Sequence, residues 1–242
     1  MTWNGQAVLA VVPARGGSKS IPRKNLSVIG GMSLVARVGA LCRDLDWIDH
    51  AVVSTDDEDI AAEARAHGLE APFLRPDELA TDQAASIDAW RHALLACEDY
   101  YGVHYGVSLL LEPTSPLRHP LDVERTVAAV VLDGYPAAAT VSPMPAHFTP
   151  HKALIMEDGD SLGFYHEQGA EFAIRQRIPQ FYHRNGVCYS MTREALLEPK
   201  NRNIIDHDCR GIVIDRPLVN IDDPFELEIA EWLLARDRDS GA

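Results

Sequence analysis

Residues 8–25 read VLAVVPARGGSKSIPRKN, and the change of character inside this stretch sets the expected fold. Residues 8–12 are all apolar, the pattern of a strand covered on both faces, and they run directly into Arg15 and the glycine pair Gly16 and Gly17. A glycine-rich turn after a strand lets backbone N–H groups approach phosphate oxygens closely, and nearby basic side chains neutralise the charge. Arg15, Lys19, Arg23 and Lys24 all fall within ten residues here. The loop is not a Walker A motif, because Lys19 follows Ser18 instead of glycine, and no G-x-G-x-x-G fingerprint follows the strand. Ligands of open α/β sheets bind at the carboxyl ends of strands. A phosphate chain is therefore expected on this loop, against Ala14, Gly16, Gly17, Ser18 and Lys19.

Charge supports that placement locally and opposes it globally. The first 43 residues carry six basic side chains and no acidic one, whereas the whole 242-residue chain has a formal charge of −14. A field of that sign repels polyanions at long range, so the ligand must be held by the local cluster. An acidic surface without an extended basic face argues against nucleic acid as a partner. The apolar runs fall well short of the roughly 18 to 20 residues of a membrane span, and MTWNGQ lacks the basic start and apolar run of a secretory signal. A soluble cytoplasmic protein with no membrane contact is expected. Cys42, Cys97, Cys188 and Cys209 are scattered without a C-x-x-C pair, which points to buried thiols.

Outward from the loop, apolar runs alternate with helical patterns through residue 140, the mark of a mostly parallel sheet with crossover helices. Strands are expected at HAVVST, APFL, VSLLLEP and AATVSP, and helices at SLVARVGALCRDL, DEDIAAEARAHG, SIDAWRHALLACEDY and DVERTVAAVVLDG. Ser54, Thr55 and Asp56 are candidate caps for the second of these helices, which Gly68 ends. From Pro143 prolines interrupt the pattern, and HKALIMEDGDSLGFY reads as a hairpin turning at Asp158 and Gly159. The core resumes with FYHRNGVCYSM, GIVIDRPLVNID and the final helix PFELEIAEWLLARD, capped by Asp223. This predicts one domain, 1–242, of three-layer α/β/α architecture with an inserted arm at about 143–175. Trp90 and Trp232 are expected in the core, and His147, His151 and His166 at the surface or in turns. Asp158-Gly159-Asp160 and Asp206-His207-Asp208 match a D-x-D metal motif, the first more simply a turn.

The motif P-A-R-G-G-S-K-x-I-P-x-K-N resembles the signature of the cytidylyltransferases that make CMP-sialic acid and related CMP-nonulosonates. VVSTDDEDIAAEARAHGLEAPFLRPDELATD, ASID, LLEPTSPLR, YHRNGVCY and NIDDPFELEIAE resemble that family's later blocks in the same order, so the likeness spans about 8–234. It implies a Rossmann-like nucleotidyltransferase fold and a reaction of CTP with an acidic sugar that gives the CMP-sugar and pyrophosphate, with Mg²⁺. It further implies that Arg15 and Lys24 bind the triphosphate, that Asn25 contacts the nucleotide, and that Arg75 and Ser86 recognise cytosine and ribose. Arg184 and Asn185, with Arg177 upstream, match the block beside the acceptor, and Lys152 in the arm is a further candidate there. The arm implies a homodimer whose active site the partner completes. Two positions depart from the pattern. Where the family commonly reads D-I-D and holds the metal, this chain has Asn220 and Asp222; where the sialate enzymes usually have glutamine on the acceptor sugar, it has Glu112. These changes bear on the metal and the acceptor more than on CTP. They leave open another small acid such as phosphonoformate as acceptor, or a nucleotide-binding regulatory protein without catalysis.

Overall fold

A computed structural model describes residues 3–156, 158–167, 169–172, 178–205 and 208–239. The expected first strand, β1 (Val8–Pro13), is fully buried along 8–12 and lies inside the sheet. It runs parallel to β4 (His50–Ser54) on one side, Leu9 opposite His50, and to β5 (Val107–Leu110) on the other, Val8 opposite Val107. Beyond β5, the long strand β9 (Tyr182–Thr192) pairs antiparallel, Leu110 opposite Tyr189. With β6 (Ala137–Pro143) and β10 (Cys209–Val213) the order is β10-β6-β9-β5-β1-β4. A short hairpin, β2 (Val28–Ile29) with β3 (Met32–Ser33), precedes the first helix.

The strand period of two divides the core between the faces. Leu9, Val11 and Leu110 pack with Trp90 and Leu94 of helix α3 (Ser86–Tyr101), whereas Val107 packs with Ala129 and Val130 of α4 (Pro120–Val131). Trp90 is fully buried, as expected; its Nε1–H donates to Ser108 Oγ at 2.7 Å, and that hydroxyl donates to the Leu9 carbonyl at 3.2 Å. The remaining helices are α1 (Leu34–Arg43), α2 (Glu58–Ala66), α5 (Arg193–Leu197) and α6 (Pro224–Asp239). The result is the expected mostly parallel α/β fold of Rossmann-like type. Among the described residues no helix is long and apolar enough to cross a membrane. The four cysteines are free; Cys42, Cys97 and Cys188 are buried, and burial pushes each thiol up to about 12.

Several local expectations are corrected. APFL forms no strand: after a single bridge from Glu70 to Val52 the chain turns away, with the Arg75 N–H donating to the Thr55 carbonyl at 2.7 Å. Pro72 and Pro76, which lack N–H donors, flank that turn. The α2 cap is Asp57, whose carboxylate accepts from the N–H groups of Asp59 and Ile60, because Ser54 and Asp56 are engaged elsewhere. The late strand stops at Val213, and residues 214–223 are irregular. Pro217 and the Arg216 ion pair with Asp122, at 3.0 and 2.5 Å, account for that ending. Trp232 is exposed on α6, with the Arg236 guanidinium 4.8 Å from its ring.

The chain divides into two compact units, Met1–Thr140, Asn185–Ile212 and Arg216–Ala242 in the first, Val141–Arg184 and Val213–Asp215 in the second. The second contains the expected hairpin, β7 (Leu154–Met156) with β8 (Leu162–Phe164), but Met156 pairs with Leu162, so the loop is longer than a two-residue turn. Leu154, Ile155, Met156, Leu162 and Phe164 are all exposed. His151 is not a simple surface residue: its ring stacks on Phe172 at 3.9 Å and meets Phe181 edge-on at 5.2 Å.

Candidate active site

At the carboxyl ends of β1 and β5, within the first unit, lies a cleft of about 300 Å³ lined by Arg15, Lys24, Asn25, Arg75, Ser86 and Glu112 among others. Six residues chosen from far-apart sequence blocks thus share one cavity.

The glycine loop is shaped by carboxylates of the β4–α2 turn. The Gly16 N–H donates to Asp56 Oδ1 at 2.9 Å, and a methyl group on Gly16 would meet Asp57 Oδ2 at the same distance. A side chain there would push the two turns apart; Gly17 by contrast has open space around it. Arg23 adopts a left-handed backbone, φ 55°, and reaches Asp59 at 2.6 Å, whose hydrogen bond raises the guanidinium above its ordinary pKa. Ala14 is buried and its N–H is taken by the Ser54 carbonyl. Ser18 sits on the loop and Lys19 is exposed.

The cations of the cleft are held in two ways. Arg15 pairs with Asp82 at 2.8 Å, and Lys19 binds the other oxygen of the same carboxylate. These contacts, the Lys19 hydrogen bond foremost, hold the Asp82 carboxyl below its ordinary range. Lys24 donates to the Ile221 carbonyl at 2.8 Å and to Asp222 Oδ1 at 3.0 Å. The expected triphosphate lysine and the expected metal carboxylate therefore meet directly. Arg75, only 6% exposed, donates through Nε to Ser54 Oγ at 3.0 Å and through Nη2 to the Ser54 carbonyl at 2.6 Å. Burial lowers its pKa to about 10. Ser86 opens α3, whose cap position is Ala85, so no side chain covers the first N–H groups of that helix. Asn25 is buried; its amide donates to the Arg15 carbonyl at 3.0 Å, and its Oδ1 has no hydrogen-bond partner.

Glu112 lines the cleft and meets a cluster with Ser115, Gly186 and Asn220, in which sequence singles out only Glu112 and Asn220. Gly186 has φ +69°, and a methyl group on it would meet Glu112 Oε2 at 2.5 Å, Ser115 Oγ at 2.6 Å and Asn220 Nδ2 at 3.1 Å. Buried Arg118 ties this loop to β9: it donates to the Glu112 carbonyl at 2.8 Å and to the Val187 carbonyl. Ser115 Oγ donates to the Asn185 carbonyl at 2.9 Å. Asp82, Ser115, Arg118 and Gly186 all lie in the family-like blocks, but nothing in one sequence says which of their neighbours fold onto the cleft.

Asn220 and Asp222 do not share a strand face, since no strand runs there. Ile221 between them is buried and its N–H donates to the Thr114 carbonyl at 2.8 Å, which turns Asn220 towards Gly186 and Asp222 towards Lys24. Asn220 Oδ1 is sealed from solvent without a hydrogen-bond partner. Among the described residues no group of three or more His, Cys, Asp or Glu side chains is placed to hold a metal ion. Mg²⁺ is commonly held by one or two carboxylates and completes its shell with phosphates and water; Asp222 supplies such a carboxylate, and the orphaned Asn220 oxygen an uncharged donor. Asn185 is buried, and its Oδ1 accepts from Thr140 at 2.6 Å and from the Val187 N–H at 3.2 Å, which makes that oxygen part of the β9 packing. Lys152 and Arg184 belong to the second unit. Arg177, with Arg175, Gln176, Asp206 and His207, lies outside the described residues.

Comparison with known families settles the enzyme class. The cytidylyltransferase family matches residues 9–202. The chain belongs to the cytidylyltransferase family. This cytidylyltransferase is 28% identical to the post-translational flagellin modification protein B of Campylobacter coli over 94% of each chain. It is 27% identical to the CMP-N,N'-diacetyllegionaminic acid synthase of Legionella pneumophila, over 96% of this chain and 98% of that one. The pseudaminic acid cytidylyltransferase of Campylobacter jejuni is 28% identical over the same shares. In fold it is similar to a CMP:2-keto-3-deoxy-manno-octonic acid synthetase solved with CTP, at a TM-score of 0.70 and 18% identity over 96% of this chain and 99% of that one. The cytidylyltransferase is thus a nucleotidyltransferase enzyme.

Proposed function

We propose that this enzyme transfers CMP from CTP to a nonulosonic, sialic-like acid and releases pyrophosphate. The observation that carries the reading is the cleft itself: a buried guanidinium and Ser86 share it with Arg15 and Lys24, a set that suits a nucleoside joined to a triphosphate. The legionaminic and pseudaminic acid enzymes among its relatives supply the acceptor class.

The reaction is a direct displacement. A hydroxyl oxygen of the acceptor bonds to the α-phosphorus while the bond from that phosphorus to the bridging oxygen breaks, and pyrophosphate leaves with the electron pair. The Asp222 carboxylate takes the hydroxyl proton. Arg15 and Lys24 exchange Asp82 and Asp222 for phosphate oxygens and stabilise the charge that builds on the leaving group. Asn25 and the glycine loop, once the Gly16 N–H leaves Asp56, position the phosphates, and Arg75 and Ser86 fix the cytidine. Asp222 and Asn220 would hold Mg²⁺, which when bound neutralises phosphate charge. Arg184, Arg177 and Lys152 would bind the acceptor's acid group by paired N–H donors. The exposed apolar hairpin of the second unit supports a homodimer formed through it, and a soluble enzyme drawing on CTP suits the cytoplasm.

The test is pyrophosphate release from Mg·CTP with N-acetylneuraminate, legionaminate and phosphonoformate, with products identified by mass. A CMP-nonulosonate is the expected product; turnover with phosphonoformate alone would reassign the acceptor.

A further inference from the structure

We infer that His92 is a positioning residue for nucleoside binding: its neutral ring backs the turn that carries Arg75, and a proton on that ring weakens the hold on the nucleoside. The inference rests on the proposed meeting of Arg75 with the nucleoside.

Residues 71–75 form no strand, so this turn is held by its side chains and its last N–H. Arg75 fixes one end, its N–H on the Thr55 carbonyl at 2.7 Å and its guanidinium on Ser54. Two residues earlier Phe73 packs against the core around Trp90 and Leu94 and meets His92 edge-on, ring centroids 5.2 Å apart at 80°. His92 stands on α3, whose Ser86 and Ala89 line the cleft. Residues three apart are neighbours on a helix surface, so one turn of α3 walls the cleft at Ala89 and the next supports the Arg75 turn at His92.

His92 Nδ1 is sealed from solvent and has no hydrogen-bond partner among the described residues. A neutral ring can leave that nitrogen as a bare lone pair, whereas a protonated ring would bury a charged donor with nothing to accept from it. The guanidinium of Arg75 adds a like charge nearby. Burial foremost, and then Arg75, push the ring below its ordinary pKa, with Glu78 acting the other way. On α3 itself the neighbouring charges, Asp88 and Arg91, are paired with each other at 3.0 Å. A proton on His92 therefore drives the ring from its apolar seat against Phe73 or repels the guanidinium, and either movement loosens Arg75. Nucleoside affinity is then full above the ring's pKa and falls as the pH drops through it.

The experiment is cytidine binding to the wild-type protein and to His92→Gln from about pH 8 to about pH 5, with the His92 ring followed by NMR with and without cytidine. Wild-type affinity should fall towards the acid end by about threefold or more beyond the change seen in His92→Gln, as like charges brought together would require. The variant carries any titration of cytidine itself, so the difference between the two profiles belongs to His92. By reciprocity, cytidine should lower the pKa of the His92 ring, a reading that needs no variant and keeps the test decisive if His92→Gln does not fold. Parallel pH profiles, or a ring pKa that cytidine leaves unmoved or raises, would overturn the inference. Failure of the wild-type protein to bind cytidine at neutral pH would instead sink the assignment of Arg75 to the nucleoside, and the inference with it.

Discussion

Arg75 and the three cations Arg15, Lys19 and Lys24 are held in opposite ways. Arg75, which we propose meets the nucleoside, is buried, and two hydrogen bonds to Ser54 fix its guanidinium. Arg15, Lys19 and Lys24, which we propose meet the phosphates, are paired instead with carboxylates, Asp82 and Asp222. A base edge offers a few directional hydrogen bonds, so rigidity there costs little and improves discrimination. Phosphate offers charge, which mobile ammonium and guanidinium groups can exchange for the charge already beside them. The lesson is that triphosphate affinity is a difference between two sets of ion pairs, not the sum of the new ones.

Breaking the proposed phosphate contacts should have the largest effect. Arg15→Ala should lower turnover by about a hundredfold or more, the scale of one lost transition-state charge contact; steady-state pyrophosphate release measures it. At the proposed nucleoside contact, Arg75→Lys should raise the KM for CTP about tenfold with a smaller change in kcat, because an ammonium cannot reproduce the fork to Ser54. Beside Glu112, Gly186→Ala should destabilise the fold by about 1–3 kcal/mol from backbone strain alone, read as a fall in Tm of several degrees. Asp82→Asn should act the other way and least. Exposed ion pairs contribute roughly 0–1 kcal/mol, so releasing Arg15 and Lys19 should tighten CTP binding by at most about fivefold. That gain should vanish at high salt, where the competing pairs are already screened. No change at low salt would show that Asp82 is a bystander.

Much of the first unit was legible because it is carried by local pattern. The apolar run at 8–12 and the helical spacing of 86–100 follow from adjacent residues, and both elements are where expected; of the loop at 14–25, Arg15, Lys24 and Asn25 line the cleft. What failed depended on distant partners. The apolar letters of APFL and VNID suggest strands, but Arg75 turns to Thr55, and Arg216 is held by Asp122 nearly a hundred positions away in the chain. Asp57 took the cap because Gly16 and Arg75 had claimed its neighbours. Trp232 obeys the helical period yet faces solvent, since apolar letters do not say whether a partner surface exists. At the site, the basic loop announced itself by charge. Asp82, Arg118 and Gly186 did not, because each acts by meeting a residue that only the fold brings near.

The most direct measurement is calorimetric titration of CTP and of cytidine into the wild-type protein and the Lys24→Ala variant. The proposed phosphate role of Lys24 predicts that Lys24→Ala weakens CTP binding about tenfold or more, as expected for loss of a close charge pair, while cytidine affinity is unchanged. Equal loss for both ligands, or none for CTP, would contradict that role.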